Sequence, residues 1–151
     1  MNKLNIGSGV DYRNDCLNMD INTNVKADIY RDITRGLPFE DNTFDVVYMH
    51  HILEHIRDND DFFFIINEVF RVLKIDGIFD ICVPPYTFEG AFSDPTHCRF
   101  FTPRTFDIIC GNNGEWDTLP QITAKFNKEH FEERSSLKDG TAKEYYVTLK
   151  K

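Results

Sequence analysis

Apolar and polar positions alternate along this chain in two rhythms. Short apolar runs come first: "KLNI" at 3–6, "CLNMDI" at 16–21, "ADIY" at 27–30, "FDVVYM" at 44–49 and "GIFDICV" at 77–83. Their lengths predict buried strands, and the β-branched and aromatic "FDVVYM" reads as an interior strand of a parallel sheet. A longer pattern lies between the last two runs. "NDDFFFIINEVFRVLK" places apolar residues at 62, 63, 65, 66, 69, 70, 72 and 73, which is helical spacing. Asn59 or Asp60 suits its start, where acids favour the positive end of the helix dipole. Lys74 and Asp76-Gly77 suit its end. Strand, helix, strand predicts a parallel βαβ unit with a right-handed crossover.

The C-terminal third follows other rules. "TPRTFDIICG" predicts a helix of about two turns, capped by Thr102, with Pro103 at its first position and Gly111 after its end. "PQITAKFNKEHFEE" and "AKEYYVTLK" alternate apolar with polar residues and predict an antiparallel hairpin around "SSLKDGT". The class is α/β, a Rossmann-like, mostly parallel sheet with an antiparallel C-terminal hairpin. No repeat or linker interrupts the pattern, so residues 1–151 read as a single domain.

Composition narrows the functional classes. The chain has 151 residues, 41% hydrophobic, with 14 Phe and 6 Tyr, enough for a real core. A net charge of -8 gives no general attraction to phosphate backbones, so nucleic acid is not an expected partner. The sequence carries no apolar run long enough to cross a membrane and no secretion signal, and cytoplasmic residence is expected. Cys16, Cys82, Cys98 and Cys110 form no C-x-x-C pair and read as free thiols.

Candidate chemistry collects at strand ends. Gly7-Ser8-Gly9 follows the first run at once, and glycines there let the backbone turn sharply and approach a ligand. Asp20 ends the second run, where an acid can accept from both hydroxyls of a ribose. Asp32 follows the third, placed to accept from an adenine amino group. Each acid alone reads more readily as a solvated loop residue, and G-S-G alone as an ordinary turn. All three at successive strand ends are harder to dismiss.

"LNIGSG", "NMD", "RDITRGLPFEDNTFDVVYMHHILEHI" and "INEVFRVLKIDGIFDICVP" in this order resemble class I S-adenosylmethionine-dependent methyltransferases. The resemblance runs from Leu4 to Pro84 and continues more weakly through "DPTHCRFFTP". It implies S-adenosylmethionine as cofactor, with Gly7, Ser8 and Gly9 around its methionine part. Asp20 and Ile21 would lie at the ribose, Asp32 and Ile33 at the adenine. Met49, His50 and His51 would line the pocket. The acidic balance and the single domain favour a small-molecule acceptor, such as a sugar or another metabolite. A binding or assembly module without turnover is the alternative.

"HHILEHI" also fits H-x-x-E-H, with His51, Glu54 and His55, the pattern of inverted zinc proteases. The motif follows a strand directly, and "RDND" separates it from the long helix. At most one short helical turn is expected, with Glu54 and His55 orienting it by hydrogen bonds and no metal bound. Glu129, Glu132 and Glu133, the available third ligands, fall in a predicted strand.

The chain departs from the family in its connections. Only "VDYRNDC" separates Gly9 from the second strand, and only "NTNVK" precedes the third, so these crossovers must be loops. A parallel sheet normally has both faces covered. Missing helices would leave apolar surface that needs cover by the aromatic-rich C-terminal half, from the same chain or from a second copy, and a homodimer is the expectation. "PPYTFEGAFSDPTHCRFFTP" lies on the substrate side, after the fifth strand. Asp94 and His97 are its catalytic candidates, with His97 as general base. The competing reading ties both into an Asx-type turn at "SDPTH".

Overall fold

The computed structural model describes residues 1–111, 119–135 and 142–151. Seven strands form one sheet: β1 (Lys3–Ile6), β2 (Leu17–Asp20), β3 (Ile29–Tyr30), β4 (Phe44–His50), β5 (Leu73–Val83), β6 (Asn127–Ser135) and β7 (Lys143–Lys150). Their order is β3-β2-β1-β4-β5-β7-β6. The first five pair in parallel, and β7 enters antiparallel to both β5 and β6. The expected mostly parallel sheet with a C-terminal antiparallel pair is therefore present. The turn expected within "SSLKDGT" lies, but for Ser135, outside the described residues.

Helix α1 (Asn59–Val72) links β4 to β5, and Asp58 rather than Asn59 or Asp60 caps it, accepting from the amides of Asp60 and Asp61. It stops two residues short of Lys74, because Leu73 already pairs with Phe44 at the start of β5. Asp76 then takes φ 63°, and a Cβ on Gly77 would meet the Lys74 carbonyl at 2.8 Å, so glycine is required at that turn. After β5 come α2 (Gly90–Ser93) and α3 (Pro103–Ile109). The latter has Thr102 at its N-cap in a capping box with Thr105, and Gly111 follows its end at φ 70°.

Register sorts the side chains into two faces. Leu4, Ile6, Met19, Val47, Met49, Phe79, Ile81, Val147 and Leu149 share one face and are fully buried or nearly so. Helices α1 and α3 and residues 122–126 cover it. Phe126 packs on Phe70 and Phe79, and Phe106 packs on Phe131. The stretch 120–126, expected as strand, is irregular here, because the Asn67 side chain on α1 bonds its backbone at Gln121, Thr123 and Ala124.

The opposite face carries Asn5, Asn18, Tyr48, His50, Asp80, Tyr146 and Thr148. No α-helix interrupts residues 7–16 or 21–28, as their lengths require. Among the described residues this face carries mainly polar side chains, unlike the apolar surface from which a second copy was expected. Asn18, fully buried, binds the connections in place of helices. Its amide donates to the Arg13 and Cys16 carbonyls and to Asp28, while its oxygen accepts from Asn5 and from the Arg13 amide.

Candidate active site

The carboxyl ends of β1, β2 and β4 open on a groove. Gly7 (φ 67°) and Gly9 (φ 48°) turn the chain after β1 through conformations that favour glycine. A Cβ on Gly7 would also stand 1.9 Å from Ile52 Cδ1. The amides of Gly7 and Ser8 donate to the Met19 carbonyl, which ties the loop to β2. Asp20 fixes the rest: one oxygen accepts from the Gly9 amide at 2.7 Å, the other from the Asn22 amide at 2.8 Å. Each of its oxygens keeps a lone pair for a ligand.

Two hollows make up the groove. One, of about 370 Å³, has apolar walls from Ile6, Met19, Ile21, Ile33, Ile52 and Ile56, with Asp32, Arg31 and Thr34 at its edge. The other, of about 440 Å³, is lined by Asn5, Ser8, Gly9, Asp11, His50 and His51. Gly7, Asp20, Ile52 and His55 belong to both, so Asp20 stands where they join. Ser8 Oγ is buried beside the second hollow without a hydrogen-bond partner. Such orphaned groups are few in native proteins and ask for a ligand or water.

Asp32 caps the 3-10 turn Ile33–Arg35, accepting from the Thr34 amide and hydroxyl, and these bonds hold its carboxyl below the ordinary range. His50 is pinned at both nitrogens. Arg13 donates to Nδ1 at 3.1 Å, which leaves Nε2–H to donate to Asp80 at 2.7 Å. His51 takes φ 57°, a conformation uncommon for its type, and turns away to Cys82 and Glu144. Its hydrogen bond with Cys82, and then the Glu54 carboxylate, raise its pKa well above the ordinary value.

The expected residues do not all converge. Gly7, Ser8, Gly9, Asp20, Ile21, Asp32, Ile33, His50 and His51 border the groove. Met49 does not: it is fully buried in the apolar core. Asp94 and His97 line neither hollow. Asp94 accepts from the Thr96 amide and hydroxyl, and the His97 amide donates to the Asp94 carbonyl, which is the Asx-type turn. Ile52, His55 and Arg31 are wall residues that sequence reasoning missed. The signal for Ile52 was its place one residue after the strand-end histidines, the first side chain able to fold back over Gly7.

"HILEH" follows β4 as a single 3-10 turn, Leu53–His55, as its neighbours require. Glu54 does not orient that turn through its side chain, because neither carboxylate oxygen has a hydrogen bond. Its backbone carbonyl does the anchoring, accepting from the amides of Cys98 and Arg99. Of the glutamates considered as third ligands, Glu132 on β6 is engaged by Arg134 and His130.

The family model of a methyltransferase domain matches residues 7–81, about half of the chain. Among solved structures, a SAM-dependent methyltransferase from Methanosarcina mazei is similar at TM-score 0.73 and 16% identity, covering 99% of this chain and 92% of its own. One from Archaeoglobus fulgidus gives TM-score 0.68 and 18% identity, with 99% and 86% covered. The (4+2) cyclase SpnF gives 0.67 and 15%, with 99% and 74% covered. No curated protein matches the chain. The matched domain begins at the glycine loop and ends within β5, spanning the strand ends that build the groove, and it identifies the chain as a member of the class I S-adenosylmethionine-dependent methyltransferase family.

Proposed function

We propose that this chain transfers the methyl group of S-adenosylmethionine to a small-molecule acceptor held beside the loop after β5. The observation that carries this reading is the place of Asp20, at the joint of a hollow walled by isoleucines and one edged by Asn5, Ser8, Asp11, His50 and His51. That order suits a ligand with a flat base at one end, an amino acid at the other and a ribose between. Asp20 accepts from the ribose hydroxyls. Ile21, Ile33 and Asp32 hold the adenine, and the Gly7-Ser8-Gly9 turn, its amides tied to Met19 and Asp20, brings the orphaned Ser8 hydroxyl to the methionine end. When bound, the cofactor supplies an electrophilic methyl carbon on a sulfonium. The protein's own contribution is placement, and holding reactants in near-attack geometry can remove on the order of 7–11 kcal/mol of barrier.

No general base is assigned to His97, since it borders neither hollow. Tyr86, Phe92 and Phe100 are exposed on the acceptor side, with Phe92 and Phe100 stacked at 4.4 Å. Aromatic faces of this kind suit a sugar ring or another flat metabolite. Calorimetry with the cofactor and its demethylated product tests the binding half. Heat of binding is expected, weakened about tenfold to a hundredfold in Asp20→Ala, as for hydrogen bonds to a charged group. Silence at millimolar ligand would refute it. Binding without any methylated product across a broad acceptor screen would favour a module without turnover, and SpnF is a reminder that one fold hosts different chemistries.

A further inference from the structure

Glu54 has no exposed surface and neither carboxylate oxygen has a hydrogen-bond partner. His51 Nδ1 comes within 3.3 Å of one oxygen, but off the alignment that a hydrogen bond needs. A buried carboxylate left this way costs several kcal/mol unless a charge offsets it. Two imidazoles meet it. Glu54, His55 and His97 each offer one ligand atom, and all lie within 4.8 Å of one another.

The imidazoles are prepared on their far sides. His97 Nδ1 lies 3.0 Å from the Ala91 carbonyl, which can only accept, so Nδ1 carries the proton. Thr96 Oγ1 donates to Asp94, so it accepts from His55 Nδ1 at 2.9 Å. Both Nε2 atoms are thereby left as lone-pair donors. Asp94 Oδ2 stands 3.9 Å from His97 Nε2, beyond hydrogen-bond reach. Metal-binding histidines are held in this manner, each giving its second ring N–H to a carbonyl, a carboxylate or another oxygen.

We infer that Glu54, His55 and His97 form a binding site for one divalent transition-metal ion. Two imidazoles and one carboxylate suit zinc, and three protein ligands leave a coordination position for water or a ligand oxygen. The ion joins the turn after β4 to the loop after β5, next to the groove that His55 borders. It also gives the buried Glu54 oxygens the direct partner that no hydrogen bond supplies, beside the His51 ring that already faces them. This runs against the sequence expectation of no metal, yet it uses only the last two positions of H-x-x-E-H. The first, His51, belongs to another trio with Cys82 and Glu144. That trio is satisfied without an ion: Glu144 bonds His51 at 3.0 Å through one oxygen and accepts from Tyr146 at 2.9 Å through the other.

The test uses the full chain, stripped with a chelator and titrated with zinc chloride by calorimetry, with retained metal measured after dialysis. One bound zinc per chain is expected. His97→Asn and Glu54→Gln should each weaken binding by about 100-fold, while Cys82→Ala leaves it unchanged. Exposed His55→Ala repeats the measurement without disturbing a buried position, so misfolding cannot hide the result. Cobalt replacement gives a second readout: visible ligand-field bands without the near-ultraviolet band of a thiolate ligand. No retained zinc, retention unchanged in both histidine variants, or a thiolate band lost in Cys82→Ala would each overturn the site. Cofactor affinity is measured separately, so the metal result stands or falls apart from methyl transfer.

Discussion

The two faces of the sheet solve the same problem by different means. On the face under α1 and α3, side chains from Leu4 to Leu149 are withdrawn from water, and helices exclude the solvent. On the other, short loops lie over β1 and β2, and polar side chains bond each other. Arg13 illustrates the second means: it pairs with Asp11, lies 4.3 Å over the Tyr48 ring and donates to His50. A sheet can thus lose helices from one face without exposing apolar surface, provided that its outward residues become hydrogen-bonding ones. The expectation of cover by a second copy rested on the opposite premise, that a parallel sheet must be apolar on both sides.

Stability measurements can break this contrast. Phe79→Ala on the apolar face should cost about 3–5 kcal/mol in denaturant unfolding, since the ring is fully buried against Phe126. Asn18→Ala comes next, at about 2–3 kcal/mol. It removes the Asn18 bond from the Arg13 amide and the Cys16 carbonyl, and one of two bonds from the Asn5 amide and the Arg13 carbonyl. Arg13→Ala should cost only about 1 kcal/mol, because its cation–π contact and ion pair sit at a wetted surface. If Arg13→Ala cost as much as Phe79→Ala, the polar face would have to be covered in solution, and the contrast would fail.

The smallest expected effect sharpens how the apolar face keeps its helix. Arg71 on α1 clamps Glu68 through two bonds and reaches the carbonyls of Leu37 and Phe39. The Arg71 guanidinium first, and the Leu37 amide as well, hold the Glu68 carboxyl below its ordinary 4.5. The folded value lies below the unfolded one, so this stabilisation is full above about 4.5 and is lost as pH falls through the folded value. Glu68→Gln should therefore flatten the acid limb of a stability–pH curve and leave the alkaline limb unchanged.

Much of this was legible because periodicity reports burial. The strand at Phe44 and the helix from Asn59 showed clear rhythms, and the strand-end acids followed from their positions. What escaped depended on partners far along the chain. Residues 120–126 alternate like a strand, but the side chain of Asn67 holds their backbone in an irregular path. His97 looked like a base because its residue type suits one, and only the fold shows that it borders neither hollow of the groove. The buried state of Glu54 was equally hidden. Nothing in "HILEH" says that the middle acid is enclosed while the flanking histidines stay open to solvent.

The brevity of β3 sets a hierarchy of motions. Two residues pair it to β2, and Asp28 helps hold its entry by accepting from the Asn18 amide. Parts of a protein with few buried contacts open first, on their own. Amide hydrogen exchange should therefore be fastest along this edge and slowest in β4 and β5. Asp20 and Asp32 flank that edge, so a ligand bridging them must close it, and each opening must release its grip. Residence time in the groove then becomes a reading of how often the outermost strand lets go, and exchange protection on β3 should rise with ligand occupancy while β5 stays as it was.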